Sequence, residues 1–329
     1  MAVLPDQPIA VAPTQAFRQS VLSGLQSTPK RLSSMYFYDA AGDALFQRIM
    51  AMPEYYLTRC EYEVFEQHRA AMLDAFGHDG FDIVELGAGD GTKTKVLLQH
   101  FLAEGADIRY FPVDISGAVL RTLADDLAVR WPDLPVDTLC GDYFDMLGQM
   151  PTNSPRPRVI LFLGANIGNY ESNEAQQFLK LLRTRMRPQD RLLVGFDLKK
   201  DPQRILNAYN DPAGITSAFN LNILHRMNRE LGADFDAAQF RHWENYDPVS
   251  GDTRSFIVSE KAQTVTFPGD VVVHFEAWEA IRVELSKKYS LSDIRHLGKE
   301  AGLCEAGFFT DSRNEFVDFL WTSPIRCTE

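Results

Sequence analysis

The stretch at residues 81–98, Phe-Asp-Ile-Val-Glu-Leu-Gly-Ala-Gly-Asp-Gly-Thr-Lys-Thr-Lys-Val-Leu-Leu, limits the possible fold more than any other part of the chain. Its apolar run at 83–86 reads as a buried strand. Gly87, Gly89 and Gly91 end that strand, and a helix opens at 92–100. Glycines at a strand-to-helix turn let the backbone take positive φ and leave room beside it for a ligand. The unpaired amides of the following helix point toward the same space. The spacing Glu85-x-Gly87-x-Gly89-x-Gly91 is not the dinucleotide pattern G-x-G-x-x-G, because the third glycine arrives one residue early and Thr92 follows it.

Strands and helices alternate on both sides of this turn. A helix is expected at 61–76 and a second strand at 108–114, ending in Asp114 about 25 residues beyond the glycines. A doubly wound sheet places a carboxylate there to bind ribose hydroxyls. An amphipathic helix at 116–130 carries Val119, Leu120, Leu123 and Leu127 on one face. A third strand at 136–139 leads into Asp142 and Tyr143, a carboxylate and an aromatic ring suited to an adenine. The run 158–163 is the strongest buried-strand signal, and it brings Asn166 and Asn169 to the edge where open α/β sheets bind ligands. A helix at 173–186 and a fifth strand at 191–197 complete a pattern that predicts a parallel sheet.

The pattern changes after Lys199. Helices are expected from Pro202 to Tyr209 and from Thr216 to Leu231, then strands at 253–260, 263–267 and 271–275. These read as a helical and antiparallel insertion. A strand at 282–289 would put Glu284 and Ser286 on one face, since side chains repeat every second residue. A helix at 292–302 and a hairpin of 308–311 with 316–322 then complete the sheet. Toward the N-terminus, residues 1–15 are rich in Pro and Ala and are expected to be loosely docked. A short helix follows at 16–25, and Asp39 or Asp43 caps another that presents Leu45, Phe46, Ile49 and Met50.

The net charge of −12 argues against a nucleic-acid partner, which needs a clustered basic footprint. No apolar run approaches the roughly 20 residues that span a bilayer, and the start lacks a basic and apolar leader. Cys60, Cys140, Cys304 and Cys327 are scattered and read as reduced thiols, and the seven histidines show no metal-ligand spacing. The chain is therefore expected to be cytoplasmic, metal-free and monomeric, with no membrane partner.

Taken together, the motifs resemble the histidine-specific N-alpha-methyltransferases that make trimethylhistidine (hercynine) for ergothioneine synthesis. The resemblance rests on Phe37-Tyr-Asp-Ala-Ala-Gly-Asp-Ala-Leu-Phe46, Met52-Pro-Glu-Tyr-Tyr-Leu-Thr-Arg59, Glu85-Leu-Gly-Ala-Gly89 and Phe162-Leu-Gly-Ala-Asn-Ile-Gly-Asn169. Gly195-Phe-Asp-Leu198, Ala208-Tyr-Asn-Asp211, Ala218-Phe-Asn220 and Asn228-Arg-Glu-Leu231 continue it in the expected order. Two departures accompany it: a third glycine in the turn, and no methionine in Arg254-Ser-Phe-Ile257.

The resemblance implies an α/β fold, a doubly wound Rossmann-like sheet that binds S-adenosylmethionine, with an inserted α+β substrate domain. The sheet domain would comprise 61–198 plus 289–329, and the substrate domain 1–60 plus 199–288. Cofactor contacts are carried onto Gly87, Lys93, Asp114, Asp142 and Tyr143. Amino-acid contacts are carried onto Tyr55, Asn169, Tyr209, Glu284 and Ser286, with Tyr38 nearby. Asn169 and Tyr209 would hold the carboxylate and amino end and so act as the catalytic pair. Tyr55, Glu284 and Ser286 would read the imidazole. Two alternatives share the scaffold: an N-methyltransferase for another amino acid such as tryptophan, and a non-catalytic ligand-binding homologue.

Overall fold

The computed structural model describes residues 13–150 and 154–324, and the chain divides into two compact units. One holds the segment ending at Tyr55, Gln203–Tyr246 and Thr253–Glu284; the other holds Tyr56–Pro202, Asp247–Asp252 and the segment starting at Leu285. Most of the N-terminal stretch expected to be loosely docked lies outside the described residues.

In the first unit, α1 (Pro13–Leu25) and α2 (Ala40–Met50) come before the chain passes into the second unit at Tyr56. Asp39, not Asp43, caps α2, its carboxylate accepting the Gly42 amide at 2.7 Å. The second unit opens with α3 (Leu57–Phe76), then runs through β1 (Phe81–Leu86), α4 (Thr94–Ala103), β2 (Ile108–Asp114) and α5 (Gly117–Arg130). It continues through β3 (Leu139–Cys140), α6 (Tyr143–Gln149), β4 (Arg158–Phe162), α7 (Ser172–Arg185) and β5 (Arg191–Asp197). The first unit then resumes with α8 (Pro202–Tyr209), α9 (Ile215–Leu231), β6 (Phe240–Tyr246), β7 (Asp252–Ser259), β8 (Gln263–Phe267), β9 (Val271–Phe275) and β10 (Ala280–Lys287), the last passing into the second unit at Leu285. Back in the second unit, α10 (Leu291–Glu300), β11 (Cys304–Thr310) and β12 (Phe316–Thr322) end the described chain.

Among the described residues, the second unit builds a seven-stranded sheet in the order β11-β12-β5-β4-β1-β2-β3. Strands β5, β4, β1, β2 and β3 are parallel, whereas β12 runs antiparallel to both β5 and β11. Strand alternation gives each face its own core. Phe81 and Ile83 of β1 pack with Val64, Phe65, Leu97 and Phe101 on one side. Val84 and Leu86 pack with Phe178, Leu179 and Leu182 on the other. Helices cover both faces, so the parallel strands read as continuous apolar runs. This is the doubly wound, Rossmann-like sheet that the sequence predicts, completed by the terminal hairpin.

The third strand is shorter than expected. Val136 makes only an isolated bridge to Tyr110, and the regular pairing with β2 is confined to Leu139 and Cys140. Pro135 has no amide, so the pairing cannot extend toward the N-terminus of that bridge, although its carbonyl still accepts the Tyr110 amide at 2.9 Å.

In the first unit, α9 buries Phe219, Ile223, Met227 and Leu231, the i+4 series of the sequence, in a core shared with Phe17, Phe37, Phe240 and Val283. Its sheets are β10-β7-β6 and the β8-β9 hairpin. Strand β6 was not expected. Its sequence Phe-Arg-His-Trp-Glu-Asn-Tyr buries Phe240, His242 and Glu244 alternately, so two of its inward residues are polar and hide the period. No helix among the described residues is long and apolar enough to cross a membrane.

Candidate active site

Strands β1 and β4 are neighbours, and the order of connection runs away from them in opposite directions. Open α/β sheets bind ligands in the crevice beyond the carboxyl ends of such a pair. Gly87 follows β1 with φ of 76° and donates its amide to Val113 O at 2.8 Å. A Cβ at this position would stand 2.9 Å from the Tyr143 hydroxyl and 3.9 Å from Asn166 Nδ2. The turns after β1 and β4 and the start of α6 therefore converge on a side chain that is not there. At Gly89, with φ of 55°, no other described atom comes within 4 Å of a built Cβ, so the turn is open on that side.

Asp114 ends β2 and holds this turn from the other side. Its Oδ2 accepts the Gly89 amide at 3.2 Å and its Oδ1 the Ser116 amide at 2.9 Å. Each carboxylate oxygen keeps a further lone pair, so the group can still accept from hydroxyls. Asp142 caps α6 by accepting the Phe144 amide at 2.8 Å. The Tyr143 phenol is pushed up by burial and then by Tyr170 and the Asp114 and Asp142 carboxylates, which keeps it a neutral hydroxyl.

Lys93 is drawn inward. Its ammonium forms an ion pair with Glu61 of α3, whose other oxygen accepts the Gly164 amide at 2.7 Å. Burial opposes the lysine's charge, but Glu61 outweighs it, and the Lys93 pKa is raised. On β1, Glu85 accepts from Thr94 Oγ1 at 2.7 Å and from the Tyr110 hydroxyl, and burial pushes it up to about 7.

After β4, Gly164 and Ala165 take left-handed conformations with φ of 75° and 56°. A short 3-10 turn, Asn166–Asn169, follows. Asn166 donates to Leu163 O at 2.9 Å, whereas Asn169 ends the turn exposed. Ser286 belongs to this same unit and is buried, its Oγ accepting from Lys288 Nζ at 2.8 Å.

The remaining expected residues belong to the first unit. Tyr38 packs edge-on against Phe46 and Phe219, at ring separations of 5.5 and 5.6 Å. Tyr55 continues the chain of rings, 6.3 Å from Phe46 and 6.3 Å from Tyr209. Glu284 accepts from Ser255 Oγ at 3.2 Å.

Several polar residues escaped the sequence reading. Tyr56, which lies within the Met52–Arg59 motif, is fully buried, but its partner was not foreseen: its hydroxyl donates to Asp197 at 2.9 Å. Glu61, Lys288 and Asp318 are buried too, yet no motif contains them. The one available signal was a charge embedded in an apolar run, as at Asp318 within Phe316–Thr322. Cys60 Sγ and the Asp311 and Glu315 carboxylates also cluster within 4.8 Å. The Asp311 oxygens already accept the amides of Arg313, Glu315 and Phe316, which fixes the β11–β12 turn. Burial, followed by the two carboxylates, pushes the thiol up to about 12, so it keeps its proton.

A parallel sheet of this order, with a glycine turn at its switch point, is the sheet of the S-adenosylmethionine-dependent methyltransferase class. Within that class, the chain belongs to the family of histidine-specific, S-adenosylmethionine-dependent methyltransferases, which it matches over residues 17–323. It is 36% identical over 303 residues to a histidine N-alpha-methyltransferase of Mycolicibacterium smegmatis, covering 92% of this chain and 93% of that protein. A histidine N-alpha-methyltransferase of Mycobacterium tuberculosis is also 36% identical, over 302 residues, with 92% and 93% covered. Ergothioneine biosynthesis protein 1 of Neurospora crassa is 32% identical over 288 residues, covering 86% of this chain and 32% of that longer protein.

Proposed function

We propose that this enzyme methylates the α-amino group of L-histidine, in up to three rounds, to give trimethylhistidine. The observation that carries the reading is the near end-to-end similarity to two proteins named for that activity. The turn through Gly87, open at Gly89, with Asp114 ready to accept from hydroxyls, fits S-adenosylmethionine in the second unit. That group supplies a sulfonium methyl for direct displacement by an amine.

In this reading Gly87 and Lys93 hold the amino-acid end of the methyl donor, Asp114 its ribose, and Asp142 and Tyr143 its adenine. Positioning is the protein's main contribution, because a displacement of this kind needs the amine held in line, and alignment is worth several kcal/mol. The amine must also lose its proton to expose a lone pair. The Asn169 amide and the Tyr209 hydroxyl are neutral, so they can hold the amino-acid end without favouring the charged amine as a carboxylate would. Tyr38 and Tyr55 supply ring faces. Glu284 and Ser286 supply an acceptor and a hydroxyl for the imidazole. Glu284 discriminates by accepting an imidazole N–H, and it loses that partner with a side chain lacking the donor.

Mass spectrometry after incubation with S-adenosylmethionine and histidine, tyrosine or tryptophan tests the proposal. Products carrying one, two and three added methyl groups are expected from histidine. Faster methylation of tryptophan would replace the substrate assignment. Cofactor binding with no methylated amino acid would mark a ligand-binding homologue instead.

A further inference from the structure

Behind the turn after β1, three buried carboxylates, Glu61, Glu85 and Asp318, surround the partly exposed Lys93 ammonium. Neither Asp318 oxygen has a hydrogen-bond donor among the described residues. Burial, and then the charge on Glu61, pushes Asp318 well above the usual carboxylate range, which favours its neutral form. Glu85 is half-neutral near pH 7 for the same first reason. Glu61 is thus the carboxylate that answers the Lys93 ammonium directly.

Its two oxygens do different things. One takes Lys93, in the turn after β1; the other accepts the amide of Gly164, in the turn after β4, at 2.7 Å. These two turns flank the crevice. Strand β5 makes room for the arrangement, because a Cβ on Gly195 would stand 2.5 Å from Glu61 Oε1.

The methyl donor carries a positive sulfonium, whereas the product left after methyl transfer is a neutral thioether. An uncompensated ammonium in the wall of such a site repels the first and is indifferent to that difference in the second. We propose that Glu61 is a positioning residue for the methyl donor, fixing Lys93 against the Gly164 turn and cancelling its charge so that the site admits a sulfonium. This rests on the reading that the crevice binds S-adenosylmethionine.

Calorimetric titration of S-adenosylmethionine and S-adenosylhomocysteine into wild type and Glu61→Gln tests it. Glutamine keeps an acceptor for Gly164, but it removes the charge and turns an N–H donor toward Lys93 where an acceptor stood. The affinity for S-adenosylmethionine should fall about fivefold more than that for S-adenosylhomocysteine. The same substitution made in a Lys93→Met background, at mildly alkaline pH, should shift the ratio of the two affinities in the same direction. That comparison also holds if a lysine left without its carboxylate unfolds the single variant. Equal losses for both ligands, or no change, in either background overturn the inference and leave the cofactor reading intact. A wild-type protein that binds neither ligand overturns both.

Discussion

Lys288 donates to the Ser286 hydroxyl at 2.8 Å, and the same ammonium pairs with the Asp197 carboxylate at 2.9 Å. The lysine and the aspartate are both buried, and Asp197 also takes Lys200 and the Tyr56 hydroxyl. Burial alone would raise the Asp197 pKa, but the two ammonium groups outweigh it and hold the carboxyl below its ordinary value. The position of Ser286 is therefore set from the end of β5, through a lysine that no motif marks.

Replacing Lys288 with methionine leaves that carboxylate with one ammonium where it had two. Breaking a buried ion pair from one side costs about 3 kcal/mol. The Lys288→Met variant should show a lower urea midpoint by a corresponding amount. Its histidine KM should rise with less effect on kcat, because Ser286 has lost the group that fixes it. An unchanged midpoint would mean that Lys200 and Tyr56 suffice for Asp197.

Glu85 gives the protein a pH dependence of the opposite sign to that of an ion-paired carboxylate such as Asp197. Its folded-state pKa is raised to about 7, chiefly by burial, from an ordinary value of 4.5. Between those two values the unfolded chain releases the proton and the folded chain keeps it, so stability falls as pH rises. The loss is about 3 kcal/mol and is complete above pH 7. Glu85→Gln can still bond both Thr94 and Tyr110, since each hydroxyl donates or accepts. Thermal melting from pH 5 to pH 8 should show a decline in wild type that is visibly flatter in Glu85→Gln.

The parallel half of the sheet was legible because both faces are covered, which turns β1, β4 and β5 into unbroken apolar runs. The glycine turn was legible because Gly87 needs both positive φ and an empty space next to Tyr143. Strand β6 was hidden because His242 and Glu244 point inward and break the alternation on which strand reading depends. The carboxylate network was hidden for a different reason. Glu61, Glu85 and Asp318 come from three elements far apart in sequence, and their meaning lies in mutual distance, which local periodicity does not encode.

Gly298 is a helical glycine whose replacement should reverse the usual rule. Alanine normally stabilises a helix interior by about 1 kcal/mol relative to glycine. Here a Cβ would stand 2.5 Å from Trp321 Nε1 and 2.8 Å from its Cε2, and Trp321 is fully buried against Phe196 and Phe319. Overpacking of this kind costs about 1–3 kcal/mol. Gly298→Ala should therefore lower the melting temperature. A rise would show that the indole moves aside at little cost.

Ser255 is the residue through which substrate choice is best probed without touching Glu284 itself. It lies on β7, opposite Glu244 of β6, almost wholly buried, with its hydroxyl donating to Glu284 at 3.2 Å. Ser255→Ala removes one donor from that carboxylate and leaves its charge and the strand pairing in place. A hydrogen bond to a charged group is worth about 1.5–3 kcal/mol at most, and a relaxed one of this length contributes about 1 kcal/mol. If Glu284 reads the imidazole, loss of its orientation should raise the histidine KM about fivefold. The KM for S-adenosylmethionine should stay within experimental error, and Ser255→Thr, which restores a hydroxyl, should recover most of the difference. Parallel rises in both KM values would instead indicate a general loosening of the β6–β7–β10 sheet and would remove Ser255 from substrate recognition.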